Sequence, residues 1–188
     1  MGAHPRRAAG ARRRRAAAQA RPDLLQPRSA RRRGLRSFDP LTNGHLDLII
    51  RASGMFDELV VGVIANPTKD ALFTVEEREE MIIKVVKDLG NVKVDHFTGL
   101  LADYVNAEQF DIVVRGLRAI TDFEYELQMA HMNAILFNDK VETIFLMTQP
   151  EYSFISSSVV KEVMSLGGSV DGLVPGNILE CMDKKLNI

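Results

Sequence analysis

The chain has 188 residues, of which 46% are hydrophobic and 26% are charged, a composition typical of a soluble globular protein with one domain of ordinary size. No apolar run reaches about 18 residues, which argues against a membrane-spanning helix, so we expect no membrane partner. Cys181 is the single cysteine, which excludes an internal disulfide and a multi-cysteine metal cluster and predicts a reducing, cytoplasmic location.

The formal net charge of −1 combines two parts of opposite sign. Residues 1–36 contain 12 arginines and one aspartate, a net charge of +11, whereas residues 37–188 carry −12. We expect no specific nucleic-acid binding from so acidic a body. The basic arm could still bind polyanions without sequence preference.

Residues 1–36 also differ from the body in residue type. They contain 9 alanines and 12 arginines and no Ile, Val, Lys, Asn, Phe or Tyr. Such a segment cannot form a core, so we predict a disordered Arg/Ala-rich arm, followed by one domain over residues 37–188. Because Arg, Ala, Gly and Pro have GC-rich codons, we hypothesise that the arm is a foreign or mis-framed segment.

The first part of the body alternates between helical and extended patterns. Apolar residues keep a helical spacing over residues 45–56, and the continuous apolar run ELVVGVIA at residues 58–65 has the length of a buried strand. Thr74 and Glu77 then have the spacing of a capping box, which predicts a helix that ends near Gly90.

The same alternation continues to the end of the body. Thr121 and Glu124 predict a second capped helix that ends near Phe137. The other predicted elements are strands at residues 92–97, 111–114 and 143–147 and helices at 100–108 and 157–166. Helices that alternate with buried strands predict an α/β fold with a doubly wound parallel sheet.

Three junctions in this pattern carry chemistry suited to phosphate binding. Gly44 and His45 lie at a helix start, Arg115 and Arg118 follow a buried strand, and three serines at 156–158 begin a helix. Helix N-termini and arginine forks both bind phosphate oxygens. Simpler interpretations remain open for each junction, namely a capping or surface histidine, arginines in surface ion pairs, and a serine cap.

The motifs FDPLTNGH, FTVEER, RGLRAITDFEYE, AHMN and SFISSS occur in this order between residue 37 and the C-terminus. In this combination the chain resembles the bacterial phosphopantetheine adenylyltransferases of the nucleotidylyltransferase superfamily. The resemblance implies a Rossmann-like fold, adenylyl transfer from ATP to 4'-phosphopantetheine with Mg2+, and a homohexamer. The P-loop and Gly-x-Gly-x-x-Gly patterns of other nucleotide-binding proteins are absent.

The resemblance also implies roles for individual residues. His45 would be the catalytic residue that contacts the α-phosphate, and Mg2+ would be held through the ATP phosphates without a protein ligand. ATP contacts are implied for Ser37, Phe38, His45, Gly116, Leu117, Arg118, Glu126, Tyr152, Ser153, Phe154, Ile155, Ser156, Ser157 and Ser158. Contacts with phosphopantetheine are implied for Ser37, Lys69, Leu101 and Arg115. For Lys69 and Glu126, a solvated surface residue is the simpler interpretation.

The chain departs from the family pattern just before Ser37. Family members have an apolar first strand that ends in Pro-Gly, and SARRRGLR stands in its place. We therefore predict that the Arg-rich arm replaces the first strand, since burying unpaired charges is costly. This prediction leaves three alternatives open: an impaired nucleotide-binding protein without turnover, a polyanion-binding protein that acts through the arm, and a different nucleotidylyltransferase.

Overall fold

The structure, a computed structural model, describes residues 31–65, 71–137 and 141–186. In these ranges, parallel strands form one sheet in the order β3-β2-β1-β4-β5. The strands are β1 (Arg31–Arg36), β2 (Glu58–Ala65), β3 (Val92–Thr98), β4 (Ile112–Leu117) and β5 (Glu142–Met147). The α-helices are α1 (Asn43–Ser53), α2 (Val75–Val86), α3 (Leu101–Ala107), α4 (Ile120–Leu136), α5 (Ser157–Ser165) and α6 (Gly176–Leu186), with a short 3-10 helix at Pro150–Tyr152.

The sheet has a hydrophobic core on each face, and β2 contributes to both. Leu59, Val61 and Val63 belong to a cluster that includes buried residues of α1, α2, α5 and α6. Val60 belongs to a second cluster with residues of α3 and the end of α4. This two-residue alternation is the pattern of a strand that is covered on both faces. The prediction of a doubly wound α/β fold is therefore confirmed.

Strand β1 corrects the prediction for the end of the Arg-rich arm. Arg31–Arg36 pairs along its whole length with β2, and residues 32 to 34 also pair with β4. The prediction of a disordered arm that cannot supply the first strand is wrong for these residues. The physical reason is that sheet pairing uses backbone N–H and C=O groups, which arginine carries like any other residue. Residues 1–30, the rest of the predicted arm, lie outside the described residues.

Several predicted boundaries agree with the structure and others move by a few residues. Strand β2 has the predicted bounds, and Thr74 and Glu77 form the predicted capping box of α2, with Thr74 Oγ1 accepting from Glu77 N at 3.2 Å. Helix α1 begins at Asn43, two residues before His45, and α2 ends at Val86 rather than near Gly90. Helix ends are the least certain part of a periodicity argument because the flanking turns are also polar.

The predicted cap of α4 is wrong. The residue that precedes the helix is Ala119, which makes no side-chain cap hydrogen bond, and Thr121 is already the second residue of α4. The cause is the length of β4, which continues to Leu117 instead of ending at Val114. Only Arg118 and Ala119 then connect the strand to the helix, and a hydroxyl at the second helical position comes too late to act as an N-cap.

Helix α6 was not predicted by the sequence analysis. It contributes Ile178 and Met182, which are fully buried in the cluster that also contains Met81 and Ile82 of α2. Across the described parts of the chain, no helix combines the length and the apolar character needed to cross a membrane.

Candidate active site

The strand order changes direction between β1 and β4, and this places the candidate site. From β1 the chain proceeds outward to β2 and β3, whereas from β4 it proceeds to β5 on the other side. In open parallel sheets, ligands bind in the crevice at the carboxyl ends of the strands that flank such a switch point. Ser37 directly follows β1 and Arg118 directly follows β4. Two of the three predicted junctions therefore lie at this crevice.

His45 is fixed at the start of α1 by a reciprocal cap with Thr42. Thr42 Oγ1 accepts from the His45 backbone N–H at 3.3 Å, and His45 Nδ1 accepts from the Thr42 backbone N–H at 3.1 Å. An Nδ1 atom that accepts this bond carries no proton, so the neutral ring has its proton on Nε2. The residue is only 8% exposed, and the Phe38 ring meets it edge-on with 5.2 Å between centroids. His45 thus lies at a helix N-terminus, as predicted, and its neutral ring carries the proton on Nε2.

Gly44 permits a close contact between α1 and the 3-10 helix. A Cβ atom at this position would lie 3.1 Å from the Tyr152 Cβ and 3.6 Å from the Tyr152 carbonyl oxygen. In the structure the group that approaches Gly44 is Tyr152, and this contact brings one of the predicted ATP-binding residues against the start of α1.

The Ser-rich junction contacts the turn before α1 and the junction that follows β4. Ser157 donates its hydroxyl to the Pro40 carbonyl at 2.8 Å, and Arg118 Nη1 donates to the Ile155 carbonyl at 3.1 Å. Ser156 caps α5, because its side chain accepts from Val159 N at 3.2 Å. The cap interpretation is therefore confirmed for Ser156, and direct hydrogen bonds join this segment to the turn before α1 and to Arg118.

Arg115 in β4 and Arg118 directly after it are both held by carboxylates of α4. Arg115 Nε donates to Glu126 Oε2 in a half-buried ion pair. Arg118 donates to both carboxylate oxygens of Asp122, at 2.9 and 3.3 Å. Arg115 and Glu126 were predicted to bind different substrates, and the structure pairs them directly. The ion-pair interpretation is thus also correct, and the pairing fixes the direction of each guanidinium.

The remaining predicted site residues lie in three environments. Gly116 and Leu117 are buried in β4, and Leu101 is half-buried at the start of α3. Ser153, Phe154 and Ser158 are exposed, with Phe154 at 69%. The prediction for Lys69 falls on a residue outside the described ranges.

Asp39 is the first of the residues that the sequence analysis missed. Its carboxylate accepts from Leu72 N at 3.1 Å, from Phe73 N at 3.0 Å and from Lys161 Nζ at 2.6 Å, and the residue is only 7% exposed. These bonds fasten the turn after Ser37 to the segment before α2 and to α5. An Asp-Pro pair is usually a local turn signal, so these distant partners could not be predicted from it.

Arg78 is the second missed residue. Its guanidinium is buried and donates to the carbonyl oxygens of Ser37, Ile64 and Thr74, at 2.6, 3.2 and 3.1 Å. Burial lowers the pKa of Arg78, and the negative charge of Asp39 opposes that effect. A signal was available, because Arg78 falls in the helical stripe of the core residues of α2, where a cation needs a buried partner.

Three acidic side chains in or near the junctions form ion pairs. Asp39 pairs with Lys161, Asp122 with Arg118, and Glu126 with Arg115. Mg2+ prefers carboxylate oxygens that are available, together with phosphate oxygens and water. These three carboxylates are therefore not available as a ligand set for the ion.

The fold and the site define a nucleotidyltransferase of the Rossmann-like type. Residues 37–163 match the family model described as cytidylyltransferase-like, which is more than half of the chain. The chain therefore belongs to the cytidylyltransferase-like family.

Comparison with curated proteins narrows the family. Phosphopantetheine adenylyltransferase of Clostridium tetani is 54% identical over 151 residues, which is 80% of this chain and 94% of the relative. The protein of the same name from Synechocystis sp. is 55% identical over 143 residues, which is 76% of this chain and 89% of the relative. The one from Streptomyces coelicolor is 51% identical over 150 residues, which is 80% of this chain and 93% of the relative. The chain belongs to the phosphopantetheine adenylyltransferases, and the resemblance seen in the sequence is confirmed.

Proposed function

We propose that this chain transfers the adenylyl group of ATP to 4'-phosphopantetheine and releases dephospho-coenzyme A and pyrophosphate, a step of coenzyme A biosynthesis. The family membership supports this function. The observation that carries it is the position of His45, which lies at the N-terminus of α1 beside the switch point of the sheet and has a neutral ring with its proton on Nε2. A neutral imidazole donor next to a helix N-terminus favours a phosphate whose negative charge grows during the reaction.

The reaction needs little from the protein beyond position and charge. A phosphate oxygen of phosphopantetheine forms a bond to the α-phosphorus of ATP, and the bond from that phosphorus to the oxygen bridging the α- and β-phosphates breaks. Pyrophosphate leaves with the electron pair of that bond. The attacking phosphate is already an anion, so no general base is required. Catalysis then consists of alignment of the two substrates and stabilisation of charge on the reacting phosphate.

The residues around the crevice divide this task. His45 donates from Nε2 to an oxygen of the α-phosphate, and Ser37 contacts both substrates. Arg115, oriented by Glu126, receives the phosphate of phosphopantetheine, with Leu101 beside the pantetheine arm. The ATP site is completed by Arg118, Tyr152 and the first residues of α5, and Lys69 holds phosphate groups. Bound to the ATP phosphates, Mg2+ supplies neutralising charge.

Assembly and location are further parts of the proposal. Helix α4 leaves Ile120, Met132 and Ile135 exposed at 87%, 56% and 70%. An apolar helix surface of this kind supports association between copies of the chain, and we propose a homohexamer. The free thiol of Cys181 supports a cytoplasmic location.

Of the alternatives, the impaired nucleotide-binding protein depended on the loss of the first strand and of the Pro-Gly that ends it. Strand β1 removes the first ground, since Arg31–Arg36 pairs with β2 and residues 32 to 34 pair with β4. The second ground stays a prediction, because Leu35 and Arg36 stand before Ser37 in this chain. A polyanion-binding role for the arm falls mostly on residues 1–30, which lie outside the described ranges, and it stays a prediction.

Replacement of His45 tests the proposed role. We expect His45→Ala to lower kcat by roughly a hundredfold to a thousandfold, with ATP affinity nearly unchanged, because the hydrogen bond strengthens in the transition state. Product formation by mass spectrometry gives kcat, and calorimetric titration gives the ATP dissociation constant. His96→Ala is a matched control, because His96 is exposed on β3, where its ring pairs with Glu79 outside the proposed site. Equal losses of turnover and ATP affinity in His45→Ala would contradict the assigned role.

A further inference from the structure

Arg78 joins three segments of the chain beneath the candidate site. It lies in the first turns of α2 and is only 4% exposed. Nη1 donates to the carbonyl of Ser37, just after β1, and to the carbonyl of Ile64 near the end of β2, while Nε donates to Thr74 before α2. One side chain therefore fixes the relative positions of two strand ends and a helix start.

These contacts require an arginine rather than any cation. A buried charge is tolerated when several acceptors surround it, and the planar guanidinium directs its donors to acceptors that lie in different directions. A lysine ammonium is a single point charge on a flexible stem, so it cannot hold the three carbonyls in the same arrangement. The Ser37 carbonyl lies beyond the last residue of β1, and Arg78 supplies the partner that this carbonyl needs.

The contact with Ser37 leads to the catalytic histidine through one peptide group. The Ser37 carbonyl and the Phe38 amide belong to the same peptide plane, so the bond from Arg78 sets the orientation of that plane. Phe38 has a φ of 45°, a left-handed conformation that is unfavourable for a phenylalanine and persists only when its surroundings hold it. The ring that results from this conformation meets His45 edge-on.

We propose that Arg78 is a positioning residue for adenylyl transfer, which acts by holding the Ser37–Phe38 peptide so that Phe38 packs against His45. The inference rests on the proposed function, because that function gives Ser37 and His45 their roles. Arg78 itself touches neither substrate in this proposal. Its effect is on the geometry of the residues that do, and small displacements of such residues lower turnover.

The first test compares Arg78→Lys with Ile82→Val on the same helix. Ile82 is fully buried and makes none of the contacts with the Ser37 turn that Arg78 makes, so its replacement reports a loss of core packing alone. At a temperature where both variants are fully folded, we expect kcat to fall about tenfold to a hundredfold in Arg78→Lys and less than about twofold in Ile82→Val. We expect the dissociation constant for ATP to change by less than about threefold. Equal kcat values in the two variants would overturn the proposal.

A double-mutant cycle tests the route through Phe38. Phe38→Ala removes the ring but leaves the Ser37 carbonyl in place, so it also serves if the Arg78 variants do not fold. We expect Phe38→Ala to lower kcat in the same way, and Phe38→Ala with Arg78→Lys to lower it no further than the larger single effect. Wild-type turnover in Phe38→Ala, or fully additive losses in the double variant, would contradict this route.

A spectroscopic measurement separates this inference from the proposed function. Nitrogen-15 spectra of the His45 ring in the ligand-free protein report the acceptor state of Nδ1 and the proton on Nε2. We expect both signals to shift in Arg78→Lys and to stay unchanged in Ile82→Val. If the wild-type chain produces no dephospho-coenzyme A, the proposed function fails while this result still tests the positioning. Unchanged His45 signals in Arg78→Lys would overturn the positioning even in an active enzyme.

Discussion

Replacement of Asp39 by asparagine should destabilise the protein by an amount that follows from three contacts. The carboxylate accepts two backbone N–H groups, from Leu72 and Phe73, and the Lys161 ammonium. Asparagine keeps one acceptor oxygen and puts an NH2 group in place of the other. One buried N–H group is then left without an acceptor, which costs about 1 to 3 kcal/mol. Lys161 is partly exposed, so the loss of its ion pair adds only about 1 kcal/mol.

The expected total for Asp39→Asn is about 2 to 4 kcal/mol, which corresponds to a decrease in Tm of roughly 5 to 15 °C for a chain of this length. Urea unfolding followed by circular dichroism measures the free energy directly. Lys161→Met keeps both N–H bonds to Asp39 and should lower the free energy of unfolding by about 1 kcal/mol or less. Asp88→Asn, at an exposed position after α2, should change stability by less than about 0.5 kcal/mol. If Asp39→Asn and Asp88→Asn have the same free energy of unfolding, the buried contacts of Asp39 do not stabilise the turn.

Three further changes test the cap, the ion pair and the first strand. Thr42→Ala should lower the free energy of unfolding by about 1 kcal/mol and Thr42→Ser by much less, because only serine keeps the cap to the His45 N–H. Urea unfolding measures both values, and equal losses in the two variants would exclude the cap. The hydrogen bond from Lys185 lowers the pKa of Glu77, so its stabilisation is present above about pH 4.5 and is lost as the pH falls through the lowered pKa. Glu77→Gln should therefore show a smaller decrease in Tm between pH 5 and 3, and an unchanged pH profile would count against this pair. Gly34→Pro should abolish cooperative unfolding, because Gly34 pairs with both β2 and β4. Arg31→Pro, at the first residue of β1, should be tolerated. A stable Gly34→Pro protein would show that β1 is not required for the fold.

The sequence predicted best where the signal is local and the environment is uniform. The run at residues 58–65 is apolar at almost every position because β2 is covered on both faces, and its predicted bounds are those of the structure. The capping box of Thr74 and Glu77 is complete within four residues, so it needed no tertiary information. The position of His45 at a helix start was likewise predicted from the adjacent residues alone.

The sequence failed where distant segments determine the outcome. Strand β1 has no apolar pattern, and what identifies it is the pairing with β2 and β4, which no local pattern contains. Apart from Thr74, the partners of Asp39 and Arg78 lie 14 to 122 residues away in the chain. An arginine in the apolar stripe of a helix was visible in the sequence, but its three carbonyl acceptors were not.

The most direct measurement is product formation by the intact 188-residue chain, supplied with ATP, 4'-phosphopantetheine and Mg2+. We expect mass spectrometry to detect dephospho-coenzyme A, phosphorus NMR to detect an equal amount of pyrophosphate, and His45→Ala to lose nearly all of both. A folded protein that forms neither product would contradict the assignment of this site. Pyrophosphate release with AMP but without dephospho-coenzyme A would contradict phosphopantetheine as the acceptor.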